Sequence, residues 1–301
     1  MSAPKIYRAG TLKRERRTQE RLDLLDAQII AVLQADHPQS VRHVFYRMTD
    51  PRLAEPIEKS DRGYRHVQER CVKLRRSGRV PYDWFADLSR RGYFTNTFDD
   101  AADFVRSMAG HYRADLWRDA TCRCEVWAES RSIASVILQD CKDLAVSLFP
   151  CGGFSSLSFV HEAAQEHNRR QDTRPLMVFY IGDYDPAGVL IDVALERELR
   201  QHLRSDVHLD FKRIAINEIQ IKAFNLPTKP RKEGDKRSQH IAYTVEAEAM
   251  PASILRRTLR RRVEGLLPPN ALSIAKVAEQ SELAHLEQVA LILDRSAFDG
   301  T

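Results

Sequence analysis

No segment of this chain reaches the ~18 uninterrupted apolar residues that a membrane span requires. The opening residues, Met1-Ser2-Ala3-Pro4-Lys5, lack the apolar core of a secretion signal and turn basic at once, so a cytoplasmic protein is expected. Cysteine is scarce. Cys71, Cys122, Cys124, Cys141 and Cys151 include no CxxC pair, and Cys122-Arg123-Cys124 has no second pair to close a zinc site. Reduced, mostly buried thiols are the expectation. No internal repeat and no low-complexity tract is found. What remains is a globular composition: 301 residues, 43% hydrophobic and 30% charged, enough for one large domain or two ordinary ones.

The net charge of +5 is only mildly basic, but it is unevenly spread. Arg62 to Arg91 holds nine Lys/Arg against three acids. Such a concentration suits phosphate neutralisation, and it equally suits a solvated helix face.

Residues 1–18 read as a basic flexible arm. Leu22, Leu25, Ile29 and Leu33 then recur at helical spacing within Arg21–Gln34, ended by His37-Pro38. Ser40 reads as the N-cap of a second helix, Val41–Met48. Gly63 precedes a third, Tyr64–Arg76, whose Val67, Cys71 and Leu74 face a core while Arg65, Lys73, Arg75 and Arg76 stay free. The segment Arg79–Phe85 can form a wing. Three short helices and an extended segment predict a winged helix-turn-helix domain over residues 19–98.

A connector helix is expected over 99–120, from the periodicity of Asp99–Arg118. Strand and helix then alternate. The strands are Cys122–Ala128, Ala145–Phe149, Leu176–Ile181 and Val207–Ile216, and the intervening helices are Ser132–Cys141, Ser158–Asn168 and Val189–His202. That alternation predicts an α/β domain over 121–301 with a mainly parallel sheet flanked by helices.

On such a sheet, sites gather outside the carboxyl ends of strands. Glu129 ends the first strand, and Asp183 and Asp185 lie just past the third. The i, i+2 spacing points both aspartates one way and Tyr184 the other. Three carboxylates brought together repel unless a divalent cation sits between them, and Mg²⁺ suits an all-oxygen set. An acidic turn that merely caps the next helix is the competing reading. Glu125 lies on the same strand as Glu129 but one interval further from its end, so Glu129 is preferred.

Glu129, the turn Gly152-Gly153-Phe154-Ser155-Ser156 and Asp183-x-Asp185-Pro186-x-Gly188 resemble the Toprim domain of the A subunit of DNA topoisomerase VI, a fold shared with meiotic double-strand-break proteins and small bacterial Toprim nucleases. The segment Arg42-His43-Val44-Phe45-Tyr46 resembles the same family's Arg-x-aliphatic-aromatic-Tyr signature, and the resemblance covers nearly the whole chain. It implies that Glu129, Asp183 and Asp185 bind Mg²⁺, with Mn²⁺ as a substitute, beside a scissile phosphate. It also implies that Tyr46 attacks DNA, and a homodimer that sets Tyr46 of one subunit against the metal site of the other. Arg42, four residues before Tyr46 and so on its helix face, can favour the phenolate and grip the phosphate. A buried structural tyrosine is the alternative, and His43 is expected at the surface. Arg65, Lys73, Arg75, Arg76, Arg79, Arg90, Lys229 and Lys236 are candidate contacts to double-stranded DNA, and nucleoid association follows from that expectation.

The chain departs from the family in one respect. It carries no ATPase module of the GHKL type and no Gly-x-x-x-x-Gly-Lys-[Ser/Thr] loop, so powered strand passage would need a separate ATPase subunit. The sequence therefore predicts Mg²⁺-dependent DNA strand cleavage through a 5′-phosphotyrosyl link. Hydrolytic cleavage with Tyr46 structural is the first alternative, and a non-catalytic DNA-binding subunit the second.

Overall fold

Three helices open the chain in the computed structural model, which describes residues 17–87, 95–152, 157–170, 172–231 and 241–298. They are α1 (Gln19–Ala35), α2 (Val41–Met48) and α3 (Asp61–Arg76). Each begins at a hydroxyl: Thr18, Ser40 and Ser60 accept the backbone N–H three residues on, satisfying a donor that the first turn leaves open. The third helix therefore starts at Asp61, earlier than expected, with Gly63 inside its first turn. A Cβ on Gly63 would overlap the Glu58 carbonyl oxygen. Leu25, Ile29, Leu33, Val44, Met48, Val67 and Leu74 close one core. Asp26 and Arg70 lock α1 to α3 through bonds of 2.7 and 2.6 Å.

The expected wing differs. Arg79–Phe85 ends in a 3₁₀ turn over Tyr82–Trp84, with a single parallel bridge from Phe85 to Gln39. Trp84 stacks on His37 at 4.7 Å and Phe85 lies beneath the Arg75 guanidinium at 4.5 Å, and both contacts favour a turn over a strand. Among the described residues no β-hairpin follows α3. The connector is also shorter than expected: α4 (Ala101–Ala109) stops at Gly110, and Asp115 folds back to accept the Trp117 N–H.

Four strands then form an all-parallel sheet in the order β2-β1-β3-β4: β1 (Arg123–Ala128), β2 (Ser147–Pro150), β3 (Leu176–Ile181) and β4 (Leu209–Ala215). The helices α5 (Arg131–Asp143), α6 (Leu157–Arg169) and α7 (Gly188–His202) connect them. Alternation along β1 sends Val126 and Ala128 into the core shared with the N-terminal helices. Trp127 goes to the opposite face, with Val178 and Tyr180 of β3. Burial on both faces explains why β3 is an unbroken apolar run.

After the short helix α8 (Glu218–Ala223), β5 (Lys229–Pro230) and β6 (Tyr243–Thr244) pair antiparallel. Val245 then bridges to Tyr184. A 3₁₀ turn, Ala247–Ala249, leads into α9 (Ala252–Glu264) and α10 (Ala271–Phe298), and α10 lies along α4. Among the described residues no helix is long and apolar enough to cross a membrane.

Candidate functional site

In the order β2-β1-β3-β4 the winding reverses between β1 and β3, which opens a crevice at their carboxyl ends. Glu129 lies there, its N–H bonded to the Ile181 carbonyl at 2.8 Å. The turn after β3 needs its glycines. A Cβ on Gly182 would collide with the Glu129 carboxylate and the Tyr180 ring, and one on Gly188 would overlap the Asp183 carbonyl oxygen. Arg213 of β4 staples the same turn. Its guanidinium lies 5.0 Å from the Tyr180 ring centre and donates to the carbonyls of Gly182, Asp183 and Gly188 at 3.0, 3.1 and 2.8 Å.

Each carboxylate is oriented through one oxygen. Glu129 Oε2 accepts the Asp183 N–H at 2.8 Å, and Asp183 Oδ1 accepts the Ala247 N–H at 2.8 Å. Asp185 Oδ1 accepts from Ala187 and Gly188 at 2.8 and 2.6 Å, so the capping role considered from sequence is present at this residue. The second oxygens, Glu129 Oε1, Asp183 Oδ2 and Asp185 Oδ2, accept no hydrogen bond among the described residues. All three side chains line one cavity of about 690 Å³. Glu246 and Glu248, beside the turn through Ala247, line it as well, joined by Arg42, Arg131 and Lys229.

Crowding shows in the protonation equilibria. Burial pushes the Glu129 carboxyl above its usual range, and the charge of Asp185 adds to the rise. Asp183 is pushed well up, first by burial and then by Glu129 and Glu248. Glu248 is raised by burial as well. Glu125 is buried elsewhere, below the crevice. It accepts from the Trp127 indole at 3.1 Å and lies 3.9 Å from His167, which supports the preference for Glu129 at the site.

Among the described residues no three His, Cys, Asp or Glu side chains are grouped closely enough to ligate one ion together. The donor set still fits Mg²⁺, an ion commonly held by one or two carboxylates while keeping several waters. Mutually repelling carboxylates, each with an oxygen that has no protein partner, are the chemistry a hydrated divalent cation relieves.

Tyr46 is placed differently. It is 3% exposed and absent from the cavity wall, with its phenol near the Glu246 carboxylate. Burial and the neighbouring Glu246 charge push the phenol upward, and Arg42 only partly opposes them. Arg42 itself is ion-paired with Glu246, which also accepts from Lys229 at 2.7 Å. Those two cations hold the Glu246 carboxyl below its usual range against the opposing effect of burial. His43, expected at the surface, is 0% exposed. Its Nδ1 meets the Ser40 hydroxyl at 2.9 Å, and burial lowers it to about 3. The side of α2 opposite Arg42 is covered by the rest of the fold, a packing that helical spacing alone does not reveal.

The basic candidates separate. Arg65, Lys73 and Arg76 are exposed on α3, Arg75 lies against Phe85, and Arg79 is paired with Asp26 at 3.1 Å. Lys229 joins the acidic cavity. Arg90, Lys236 and the segment 153–156 lie outside the described residues. Sequence reasoning did not assign Glu246, Glu248 or Arg213 to the site. The i, i+2 spacing of Glu246 and Glu248, which repeats that of Asp183 and Asp185, is the one signal that pointed to the first two. No family model matches the chain, and no curated protein matches it in sequence.

Proposed function

We propose that this protein is a divalent-metal-dependent nuclease that hydrolyses phosphodiester bonds of double-stranded DNA. The observation that carries this reading is the gathering of Glu129, Asp183, Asp185 and Glu248 around one open cavity with Arg42, Arg131 and Lys229 on its walls. Mg²⁺ or Mn²⁺ would be held by one or two of the carboxylates of Glu129, Asp183 and Asp185, with waters in its remaining positions, and would stabilise charge on the reacting phosphate. Arg42, Arg131 and Lys229 bind and orient the phosphate. Glu248, its carboxyl raised by burial, takes the proton of the attacking water. The exposed Arg65, Lys73 and Arg76 of α3 follow the flanking DNA backbone. The resemblance to the topoisomerase VI A subunit, with its winged helix, Toprim domain, homodimer and separate ATPase partner, belongs to the same proposal.

Attack by Tyr46 is the second reading, favoured by the nearness of its phenol to Glu246, a residue of the cavity wall. It requires the phenol to leave Glu246 and lose its proton against burial. Hydrolysis requires neither, and for that reason it is placed first. Supercoiled plasmid incubated with Mg²⁺ or Mn²⁺, quenched with and without protease, tests both. Nicked or linear product that migrates identically after either quench supports hydrolysis. Product that enters the gel only after protease treatment supports the tyrosine. Intact plasmid under all conditions refutes cleavage.

A further inference from the structure

A second cavity, of about 330 Å³, lies between α2, α3 and the N-terminus of α5. It shares Arg42, Arg131 and Ser132 with the acidic cavity, so the two are adjacent. Its other lining differs in kind. Tyr64 and Phe85 present aromatic surface, Arg75 lies over Phe85 at 4.5 Å, and Gln68 stands exposed at the margin. Arg42 lies 5.1 Å from the Tyr64 ring centre. Among the described residues neither Arg75 nor Arg131 is ion-paired. Two guanidinium groups outside any ion pair, beside flat rings and with the Asp87 carboxylate also on the wall, suit a ligand that is anionic on one side and aromatic on the other. The volume suits one nucleotide unit, and a side-chain amide at the margin can bond a base edge.

We propose that this cavity seats an unpaired nucleotide of the DNA strand, next to the phosphate that enters the acidic cavity. The proposal rests on the nuclease reading and narrows its substrate to DNA with a single-stranded segment at the cut: a flap, an overhang or a locally opened duplex. The base stacks on Tyr64, Phe85 and the Arg75 plane, its phosphate bonds Arg131 and Arg42, and Gln68 reaches its edge. A blunt duplex holds every base in its stack and cannot fill the cavity without opening.

The test is fluorescence anisotropy of the full-length protein in EDTA with three fluorescein-labelled DNAs of equal phosphate number: a single strand, a blunt duplex and a duplex with a four-nucleotide overhang. The single strand and the overhang are expected to bind about tenfold or more tightly than the blunt duplex. Gln68→Ala and Tyr64→Leu are each expected to erode that preference by about threefold or more while leaving blunt-duplex affinity unchanged, and Arg75→Ala to weaken overhang binding about threefold more than it weakens blunt-duplex binding. The polar pair keeps the test valid if Tyr64→Leu fails to fold. Equal affinity for all three DNAs, or a preference untouched in the folded variants, overturns the proposal. Displacement of the strand by an equal nucleotide concentration of deoxythymidine monophosphate also overturns it, because the site would then take the free nucleotide. Plasmid cleavage by an Asp183→Asn protein reports separately on the nuclease reading: undiminished cleavage there sinks that reading whatever the anisotropy shows.

Discussion

The turn Gly182–Gly188 and the helix Val41–Met48 each carry a group that could attack or activate a phosphate, yet they are built to opposite ends. The turn crowds carboxylates into an open cavity, where their charges repel and one oxygen of each has no protein partner. The helix buries Tyr46 near the Glu246 carboxylate, and the nearby cations Arg42 and Lys229 pair with that same carboxylate. Reactive side chains earn their chemistry from surroundings that leave a demand unmet. By that measure the proposed reading assigns the chemistry to the turn and makes the tyrosine part of its frame.

The largest expected effect lies in the turn. Asp183→Asn should lower DNA cleavage by about 10²-fold or more. Thermal unfolding without metal should move little or upward, because a buried charge repelled by Glu129 and Glu248 is removed. A protein that loses stability and activity together would make Asp183 a structural residue and erase the contrast. Next comes Gly188→Ala, whose Cβ would overlap the Asp183 carbonyl oxygen. Backbone displacement should cost about 1–3 kcal/mol, or roughly 2–8 °C in a calorimetric scan. Cleavage should fall with it.

A subtler effect separates Glu125 of β1 from Glu129 just past its end. Burial raises Glu125 from 4.5 to about 7, with the Trp127 indole opposing the shift. An acid raised on folding contributes stability below its unfolded value, near 4.5, and that contribution is lost as pH climbs through about 7. Glu125→Gln should therefore match the wild type at pH 4 and gain on the order of 2–3 kcal/mol above pH 7 in denaturant titrations. Cleavage should be unaffected, since Glu125 is not on the cavity wall. An unchanged stability profile would show that the pair with His167 compensates the buried charge.

Much of this was legible from periodicity and punctuation. The unbroken apolar run of β3 matches its expected bounds, Leu176–Ile181, because a strand buried on both faces leaves no ambiguity of phase. Glu129, Asp183 and Asp185 reach one crevice because parallel strands bring their carboxyl ends together. Local signals failed where distant contacts decide. The short antiparallel bridge between Tyr184 and Val245 brings Glu246 and Glu248 to the turn from about sixty residues away, and their i, i+2 spacing does not say where they dock. His43 shows the same limit, as does the wing position, where His37 and Arg75 draw Trp84 and Phe85 into a turn. The connector helix ran too long in the sequence reading because apolar spacing outlasted Gly110.

The contrast between turn and helix is tested most directly by the Mg²⁺-dependent plasmid cleavage rate of a Tyr46→Phe protein. Phenylalanine keeps the packing and removes only the hydroxyl, so the stability change should stay within about 1 kcal/mol. Cleavage within about threefold of the wild-type rate, with no protein attached to the DNA ends in either case, is the expected result. A Tyr46→Phe protein that binds DNA normally and does not cut it, beside a wild type that leaves covalent protein–DNA adducts, would contradict it and return the nucleophile to the helix.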